Sequence, residues 1–229
     1  MSGTIEEDAG AKGVFWASVD GRRLLATRNL APGFSLYGER LIPFGGAEYR
    51  LWDARRSKLA AAFLLGLGAM PISPGSRVLY LGASTGTTVS HVSDMVGQGG
   101  TVFAVEVSPR VARELVEHVA RHRRNVIPVV EDARNCSRYG VVYGRIDVLY
   151  CDIAQSDQTP IALANAQRYL APAGHMLLVV KARSIDVLKE PKVVVAEEAE
   201  KVRRAGLQVM KAISLEPYDR DHGMILARK

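Results

Sequence analysis

Short runs of Val, Leu and Ile alternate with segments that repeat apolar residues at helical spacing over most of the chain. This pattern is typical of a parallel sheet covered by helices on both faces. The last two strands have no helix between them, so we expect them to pair antiparallel. Strands are predicted at 78–81, 101–105, 125–130, 145–151, 174–180, 207–215 and 223–228, and helices at 57–67, about 87–97, 109–121, 159–170 and 191–205.

The first fifty residues follow a different pattern. Short β-favouring runs at 14–19 and 23–27 flank the Asp-Gly pair at 20–21, which favours a tight hairpin turn. We therefore predict a small N-terminal β-rich domain over 1–52, which would shield an edge of the main domain or dock a partner. A larger α/β domain is predicted over 53–229.

Composition is that of a folded protein with one main core, since 48% of the 229 residues are hydrophobic and 24% are charged. The formal charge of +6 and a pI near 9.4 fit a phosphate-rich partner, although many proteins without such a partner are as basic. Basic clusters at 121–124 and 201–204 are either phosphate-facing surfaces or solvated helix faces.

Cysteine usage and the N-terminal residues indicate the compartment. Cys136 and Cys151 have no partners at disulfide-framework or zinc spacing, so no metal site is expected and a reducing environment is favoured. Acidic residues stand at 6–8 in place of a basic leader, and no apolar run approaches the roughly 18 residues of a membrane span. We expect a cytoplasmic protein that does not enter a membrane.

A glycine-containing turn follows the first strand of the α/β domain at 82–88. In open α/β sheets ligands bind beyond the carboxyl ends of the strands, where glycine allows close backbone approach. The spacing Gly82-x-x-x-Gly86 differs from the GxGxxG of dinucleotide folds. It favours S-adenosylmethionine over NAD.

Polar residues also follow the next three strands. Glu106 stands where a ribose diol needs an acceptor, and a carboxylate in the segment 131–133 can accept from an adenine amino group. The fourth strand ends at 151–155, beside the expected methionine part and methyl group. Polar or glycine groups that follow each of four successive strands predict a binding site more specifically than any single group does. A lone acid at a strand end is more often a helix cap.

Two lysines and a histidine complete the candidate chemistry. Lys181 ends a very apolar strand and needs a carboxylate or solvent, and Asp152 is its candidate partner. Lys58 begins the helix before the first strand, and His222 lies in the predicted final turn, where a hydrogen-bonded turn residue is the more frequent role. Lysines beside an aspartate suit methylation of a ribose 2′-hydroxyl, because they orient the hydroxyl and stabilise its developing negative charge.

Several segments resemble the fibrillarin family, and the Gly-Ala-Ser-x-Gly-Thr-Thr and Tyr-x-Arg-Asp-His elements are the most specific of them. Together they span nearly the whole α/β domain. The segments are 49–53, 56–61, 81–91, 105–106, 131–134, 152–155, 157–158, 181–182, 185–186 and 218–222.

The resemblance implies a class I S-adenosylmethionine-dependent methyltransferase fold, Rossmann-like, with a seven-stranded mostly parallel sheet. It places a Lys-Asp-Lys-His catalytic set on Lys58, Asp152, Lys181 and His222. The cofactor contacts expected from the turn and from the family are Gly82, Ala83, Thr87, Thr88, Glu106, Val107, Asp132, Ala133, Asp152, Ile153, Ala154 and Gln155.

The family further implies a box C/D guide RNA, a Nop-family scaffold protein, a kink-turn-binding ribosomal-type protein and rRNA or tRNA as substrate. Arg183 replaces a frequent family Asn, and the segment 53–55 replaces Asn-Pro-Phe, which leaves local RNA contacts open. The chain carries no Gly/Arg-rich N-terminal tail, as expected of an archaeal-type form.

Two other functions remain to be weighed. A small-molecule or protein methyltransferase is expected to lack the paired lysines and to add a substrate-covering domain, while a non-catalytic RNA-particle subunit is expected to have lost Lys58 or Asp152. Both residues are present, which favours the RNA enzyme. We expect the isolated chain to bind RNA weakly and without sequence preference, because one basic domain offers few phosphate contacts.

Overall fold

The computed structural model describes residues 4–229, so the first three residues of the predicted 1–52 domain lie outside the described residues. The elements are β1 (Ile5–Glu7), β2 (Val14–Val19), β3 (Arg22–Arg28), β4 (Leu41–Phe44), β5 (Ala47–Leu51), α1 (Lys58–Leu64), β6 (Arg77–Leu81), α2 (Thr87–Val96), β7 (Thr101–Glu106), α3 (Pro109–Leu115), β8 (Val126–Val130), β9 (Ile146–Cys151), α4 (Gln158–Tyr169), β10 (Leu170–Lys181), α5 (Ala182–Ile185), α6 (Pro191–Arg204), β11 (Gln208–Ser214) and β12 (His222–Arg228).

Seven strands form the main sheet, in the order β11-β12-β10-β9-β6-β7-β8. Strands β10, β9, β6, β7 and β8 run parallel to one another, and β12 is antiparallel to both of its neighbours. The predicted seven-stranded mostly parallel sheet and its closing hairpin are confirmed. The strand order reverses between β6 and β9, where open α/β sheets bind ligands.

Side chains of the main sheet alternate between two cores. On β6, Val78 and Tyr80 pack with α1, α2 and buried residues of the N-terminal strands, whereas Leu79 and Leu81 pack with α4 and α6. Burial on both sides explains the near-continuous apolar strands, because such a strand has no solvent face on which to place polar residues.

The N-terminal strands form an antiparallel sheet in the order β1-β2-β3-β5-β4, and the hairpin predicted at Asp20-Gly21 joins β2 and β3. A buried polar network joins this sheet to α2. Arg50 of β5 donates to Asp94 at 2.5 Å and to Ser90 at 2.6 Å. A third bond, 2.6 Å long, joins it to Glu39. The N-terminal sheet therefore packs on the main domain through satisfied charges as well as apolar contacts.

Some element bounds and one buried side chain differ from the sequence predictions. Strand β10 begins at Leu170, before the predicted start at 174. Arg123 belongs to the basic cluster at 121–124, which the sequence predicts to lie on the surface. The structure buries Arg123 and pairs it with Asp94 at 3.4 Å. The other cluster, at 201–204, behaves as a solvated helix face whose side chains pair with glutamates of α6. Within residues 4–229 no helix combines the length and apolarity needed to cross a membrane.

Candidate active site

Lys58, Asp152 and Lys181 converge at the carboxyl ends of β9 and β10. The carboxylate of Asp152 lies between the two ammonium groups, with Oδ2 3.3 Å from Lys58 Nζ and Oδ1 3.0 Å from Lys181 Nζ. Lys181 also donates to the main-chain oxygen of Asp152 at 3.3 Å. All three side chains are largely buried, and between 14% and 23% of each is exposed, so the charges are only partly screened by water.

The position of Asp152 depends on Gly82 at the end of the neighbouring strand. The Asp152 amide donates to the Leu81 carbonyl at 2.9 Å, which extends the pairing of β6 and β9 by one residue. Gly82 has φ +80°, and a Cβ atom there would lie 2.4 Å from the Asp152 carbonyl oxygen. Only glycine allows the two strand ends to approach this closely.

Lys58 is held by the cap of its helix. Ser57 is the N-cap of α1, and its hydroxyl accepts from the Ala60 amide at 3.5 Å. The same hydroxyl accepts a 3.1 Å hydrogen bond from Thr88, which lies in the first turn of α2. This hydrogen bond therefore joins the glycine turn at 82–88 to helix α1, which carries Lys58, next to Asp152.

The antiparallel pairing of β10 and β12 places His222 in the site. The sequence predicts it in the final turn, but it is the first residue of β12 and lies opposite Lys181 in the antiparallel pairing. Its Nδ1 lies 2.7 Å from Asp219 Oδ1, and Asp219 Oδ2 lies 3.8 Å from Lys58 Nζ. Burial alone would raise the pKa of Asp219, but the hydrogen bond and charge of His222 and the two lysine ammonium groups hold it below its usual range.

A cavity of about 310 Å³ opens beside Asp152 at the carboxyl ends of β6, β7, β8 and β9. Glu106 forms part of its wall and is fixed by two backbone donors, Ser84 N to Oε2 at 2.9 Å and Ser108 N to Oε1 at 3.0 Å. Each carboxylate oxygen keeps further lone pairs, so the group can accept from two neighbouring hydroxyls.

Hydrogen bonds from Arg134 connect residues on the opposite wall of this cavity. Its guanidinium donates to Asp157 at 3.0 and 2.8 Å and to the side-chain oxygen of Gln155 at 3.0 Å. Its amide donates to Asp132 Oδ1 at 2.8 Å. These bonds link the ends of β8 and β9, and they orient the carboxylate of Asp132.

Most of the sequence-predicted cofactor residues share this cavity. Ala83, Thr87 and Thr88 lie outside its lining, and Thr88 instead contacts Ser57. The predicted residues that do line it are Gly82, Glu106, Val107, Asp132, Ala133, Asp152, Ile153, Ala154 and Gln155.

Sequence reasoning assigns no role to three residues that organise the site. Ser57 caps α1, Asp219 joins His222 to Lys58, and Arg134 bridges two strand ends. Ser57 carries a detectable signal, since serine directly before a helix is a preferred N-cap. Asp219 contacts Lys58 and Arg134 contacts Asp157, and both partners are distant in sequence. These contacts therefore appear only in the folded structure.

A fibrillarin family model matches residues 5–229. The chain is similar to a fibrillarin-like rRNA/tRNA 2′-O-methyltransferase of Saccharolobus islandicus, with 53% identity over 91% of this chain and 90% of the relative.

Solved structures give the same result. The fold is similar to Aeropyrum pernix fibrillarin with natively bound S-adenosyl-L-methionine, at TM-score 0.91 and 43% identity over 99% of each chain. It is also similar to the fibrillarin of a fibrillarin/Nop5p complex, at TM-score 0.83 and 39% identity over 97% of this chain and 99% of that one.

Proposed function

The chain belongs to the fibrillarin family, and we propose that it transfers a methyl group from S-adenosylmethionine to a ribose 2′-hydroxyl of rRNA or tRNA. The observation that carries this proposal is the Asp152 carboxylate held between Lys58 and Lys181 at the mouth of the Gly82–Glu106 cavity.

The residues around the cavity fit the cofactor. Glu106 would accept the two ribose hydroxyls, and Asp132 would accept the adenine amino group. Gly82, where a Cβ atom would meet the Asp152 carbonyl oxygen, allows the ends of β6 and β9 that line the cavity to lie close together. The cavity volume of about 310 Å³ lies at the lower end of the range of small-molecule sites.

S-adenosylmethionine, when bound, supplies an electrophilic methyl group on a sulfonium. The Asp152 carboxylate accepts a hydrogen bond from the 2′-hydroxyl and fixes the orientation of its oxygen lone pairs. As this oxygen passes its proton to the Asp152 carboxylate and bonds to the methyl carbon, the methyl–sulfur bond breaks and its electron pair stays on sulfur as a neutral thioether. The ammonium groups of Lys58 and Lys181 stabilise the negative charge that develops on the oxygen. The three groups together carry one net positive charge, which suits an anionic oxygen.

His222 and Asp219 support this arrangement from β12. Asp219 lies close to Lys58 and is hydrogen-bonded to His222, so the pair limits the positions that the lysine side chain adopts. Positioning of this kind is effective because a misplaced reacting group lowers the rate steeply.

The partners proposed for the chain follow from the family. A Nop-family scaffold protein is supported by the similarity to the fibrillarin of the Nop5p complex. A box C/D guide RNA would select the target nucleotide in rRNA or tRNA processing, and a kink-turn-binding protein would complete the particle. The net charge of +6 suits assembly with RNA.

The two alternatives have less support. A small-molecule or protein methyltransferase does not require two lysines around one aspartate, and a non-catalytic subunit does not require their side chains to remain within 3.3 Å of that carboxylate. The intact cluster therefore favours an RNA ribose enzyme.

The test is methyl transfer by the reconstituted particle, with labelled cofactor and two targets that differ only at the 2′ position of the guided nucleotide. We expect label in the ribose target and none in the 2′-deoxy target. Asp152→Asn should lower kcat by about 100-fold or more, as is typical for loss of a group that acts in the transition state. Asp147→Asn, at the opposite end of β9, is the matched control and should retain activity. Equal labelling of both targets would refute the proposed function.

A further inference from the structure

A second and larger cavity, of about 570 Å³, lies between the N-terminal sheet and α1. We call it the aromatic cavity, and its defining residues are Trp16, Arg23, Tyr37, Trp52, Arg56 and Tyr218. Its volume lies within the usual range for small-molecule sites. None of these residues belongs to the Lys58–Asp152–Lys181 cluster or to the cavity beside it.

Two arginines of the aromatic cavity form no ion pair among the described residues, although Asp53 and Glu39 also line it. Arg23 stacks over the Trp16 ring, with its Cζ 4.2 Å from the centroid, and Arg56 lies over the Tyr37 ring at 5.0 Å. Neither guanidinium forms an ion pair with a carboxylate within residues 4–229, whereas the neighbouring Arg40 is paired with Asp20. Planar rings with unpaired cations above them suit a ligand that is both flat and anionic.

Trp52 lies beneath the same wall, with its ring stacked on His91. The residue is 3% exposed, and its Nε1 finds no acceptor among the described side chains and backbone groups. A buried donor without a partner is costly in free energy and rare. Because this atom is itself buried, a ligand in the cavity would reach it only if the indole moved.

The aromatic cavity adjoins the candidate active site at two points. Arg56 precedes Lys58 by two residues, and Tyr218 is followed by Asp219, whose carboxylate lies 3.8 Å from Lys58 Nζ. Two short segments of the chain therefore connect the aromatic cavity with the candidate active site.

We propose that the aromatic cavity binds one unpaired nucleotide of the RNA strand whose ribose is methylated. The base stacks against the aromatic and guanidinium planes, and Arg23 and Arg56 contact the adjoining phosphates. The placement of the methylated ribose at Asp152 rests on the proposed function, but the nucleotide site itself does not.

The two tryptophans of the chain, Trp16 and Trp52, both line the aromatic cavity, so intrinsic tryptophan fluorescence reports on it directly. The full chain is titrated with a five-nucleotide single-stranded RNA and with an abasic strand of the same length and charge. We expect saturable quenching by the RNA. The abasic strand should bind about fivefold or more weakly, because a stacked base contributes substantially to single-strand affinity. Equal binding of the two strands would overturn the proposal.

The double variant Arg23→Gln/Arg56→Gln tests the phosphate contacts. Its log–log salt slope should fall by about 0.7 for each phosphate that an arginine no longer neutralises. The control Arg121→Gln/Arg204→Gln removes the same charge from exposed sites elsewhere and should keep both affinity and quenching. If the double variant binds RNA normally but does not bind a Nop-family protein, the aromatic cavity is a protein-docking site and the proposal fails.

These experiments distinguish a failure of the proposed nucleotide site from a failure of the proposed function. Quenching should persist in Asp152→Asn, which keeps every residue of the aromatic cavity. If the wild-type chain shows base-dependent quenching but the particle transfers no methyl group, the nucleotide site is supported and the proposed function is contradicted. If methyl transfer occurs without base-dependent quenching, the proposed function is supported and the nucleotide site is contradicted.

Discussion

A Cβ atom at Gly82 would lie 2.4 Å from the carbonyl oxygen of Asp152. Real Cβ contacts are not this short, and the atom it meets is backbone, which cannot rotate away as a side chain can. The residue at position 82 thus determines where the proposed catalytic aspartate lies relative to its two lysines.

Gly82→Ala should therefore impair both stability and catalysis. The left-handed backbone, with φ +80° at Gly82, costs an alanine about 1–2 kcal/mol, and the clash adds about 1–3 kcal/mol. Gly21→Ala is the matched control, because φ is +74° and nothing lies within 4 Å of its Cβ. Denaturant unfolding and methyl-transfer kinetics measure the difference. Equal effects of the two substitutions would contradict the role of close approach.

Thr88→Val should lower turnover without changing cofactor affinity. The substitution keeps the shape but removes the hydroxyl that donates to Ser57, so the cap of α1 loosens and Lys58 is held less firmly. Loss of one such hydrogen bond corresponds to about 1 kcal/mol, or roughly fivefold in kcat. Thr101→Val is the control, because it removes a hydroxyl at the end of β7 away from Glu106 and should change neither kcat nor cofactor affinity. If Thr88 contacts the cofactor, as the family resemblance implies, the cofactor Kd rises instead and kcat stays constant.

Arg50→Met should destabilise the whole chain. The substitution leaves the carboxylates of Glu39 and Asp94 buried without their main cation, and breaking a buried ion pair in this way costs about 3–5 kcal/mol. Arg40→Met removes an exposed ion pair with Asp20 and should cost less than about 1 kcal/mol. Chemical denaturation of the two variants provides the comparison. A small effect of Arg50→Met would show that the polar network contributes little to holding the N-terminal sheet.

His91 should make stability depend on pH. Burial, together with the charges of Arg50 and Arg123, holds the pKa of His91 well below its usual value of 6.5. Below pH 6.5 the unfolded chain takes up a proton that the folded chain does not, so stability is present above this pH and is lost as pH falls toward the folded-state pKa.

The difference between wild type and His91→Gln isolates this contribution. Wild type should lose up to about 1.4 kcal/mol of unfolding free energy per pH unit below 6.5, and the variant should lose less. Some slope remains in the variant, because burial also lowers the pKa of His175. Unfolding titrations between about pH 7.5 and 5 measure both slopes, and identical slopes would contradict the prediction.

The main sheet is predictable because its signal is local. Apolar runs such as 101–105 and 174–180 are long enough to be identified one by one, and the structure places strands over both. The early start of β10 at Leu170 is not predictable in this way, because its first residues are interrupted by Pro172 and Gly174, which argue against a strand.

The candidate site is predictable only in part. Strand-end residues such as Glu106 and Asp152 are found because parallel strands bring their carboxyl ends to one edge. The aromatic cavity is not, because Trp16, Tyr37 and Tyr218 lie far apart in the chain and meet only after the N-terminal sheet packs on α1. The burial of Arg123 escapes prediction for the same reason, since its partner Asp94 lies on α2, 29 residues earlier in the chain.

The pairing of β10 with β12 has a consequence for synthesis on the ribosome. Lys58 emerges early, but His222, which faces Lys181, and the whole of β12 emerge after every other described strand. Until then β10 has an unpaired edge and the lysine cluster lacks one wall. A nascent chain should therefore gain activity only after β12 has left the exit tunnel and paired with β10.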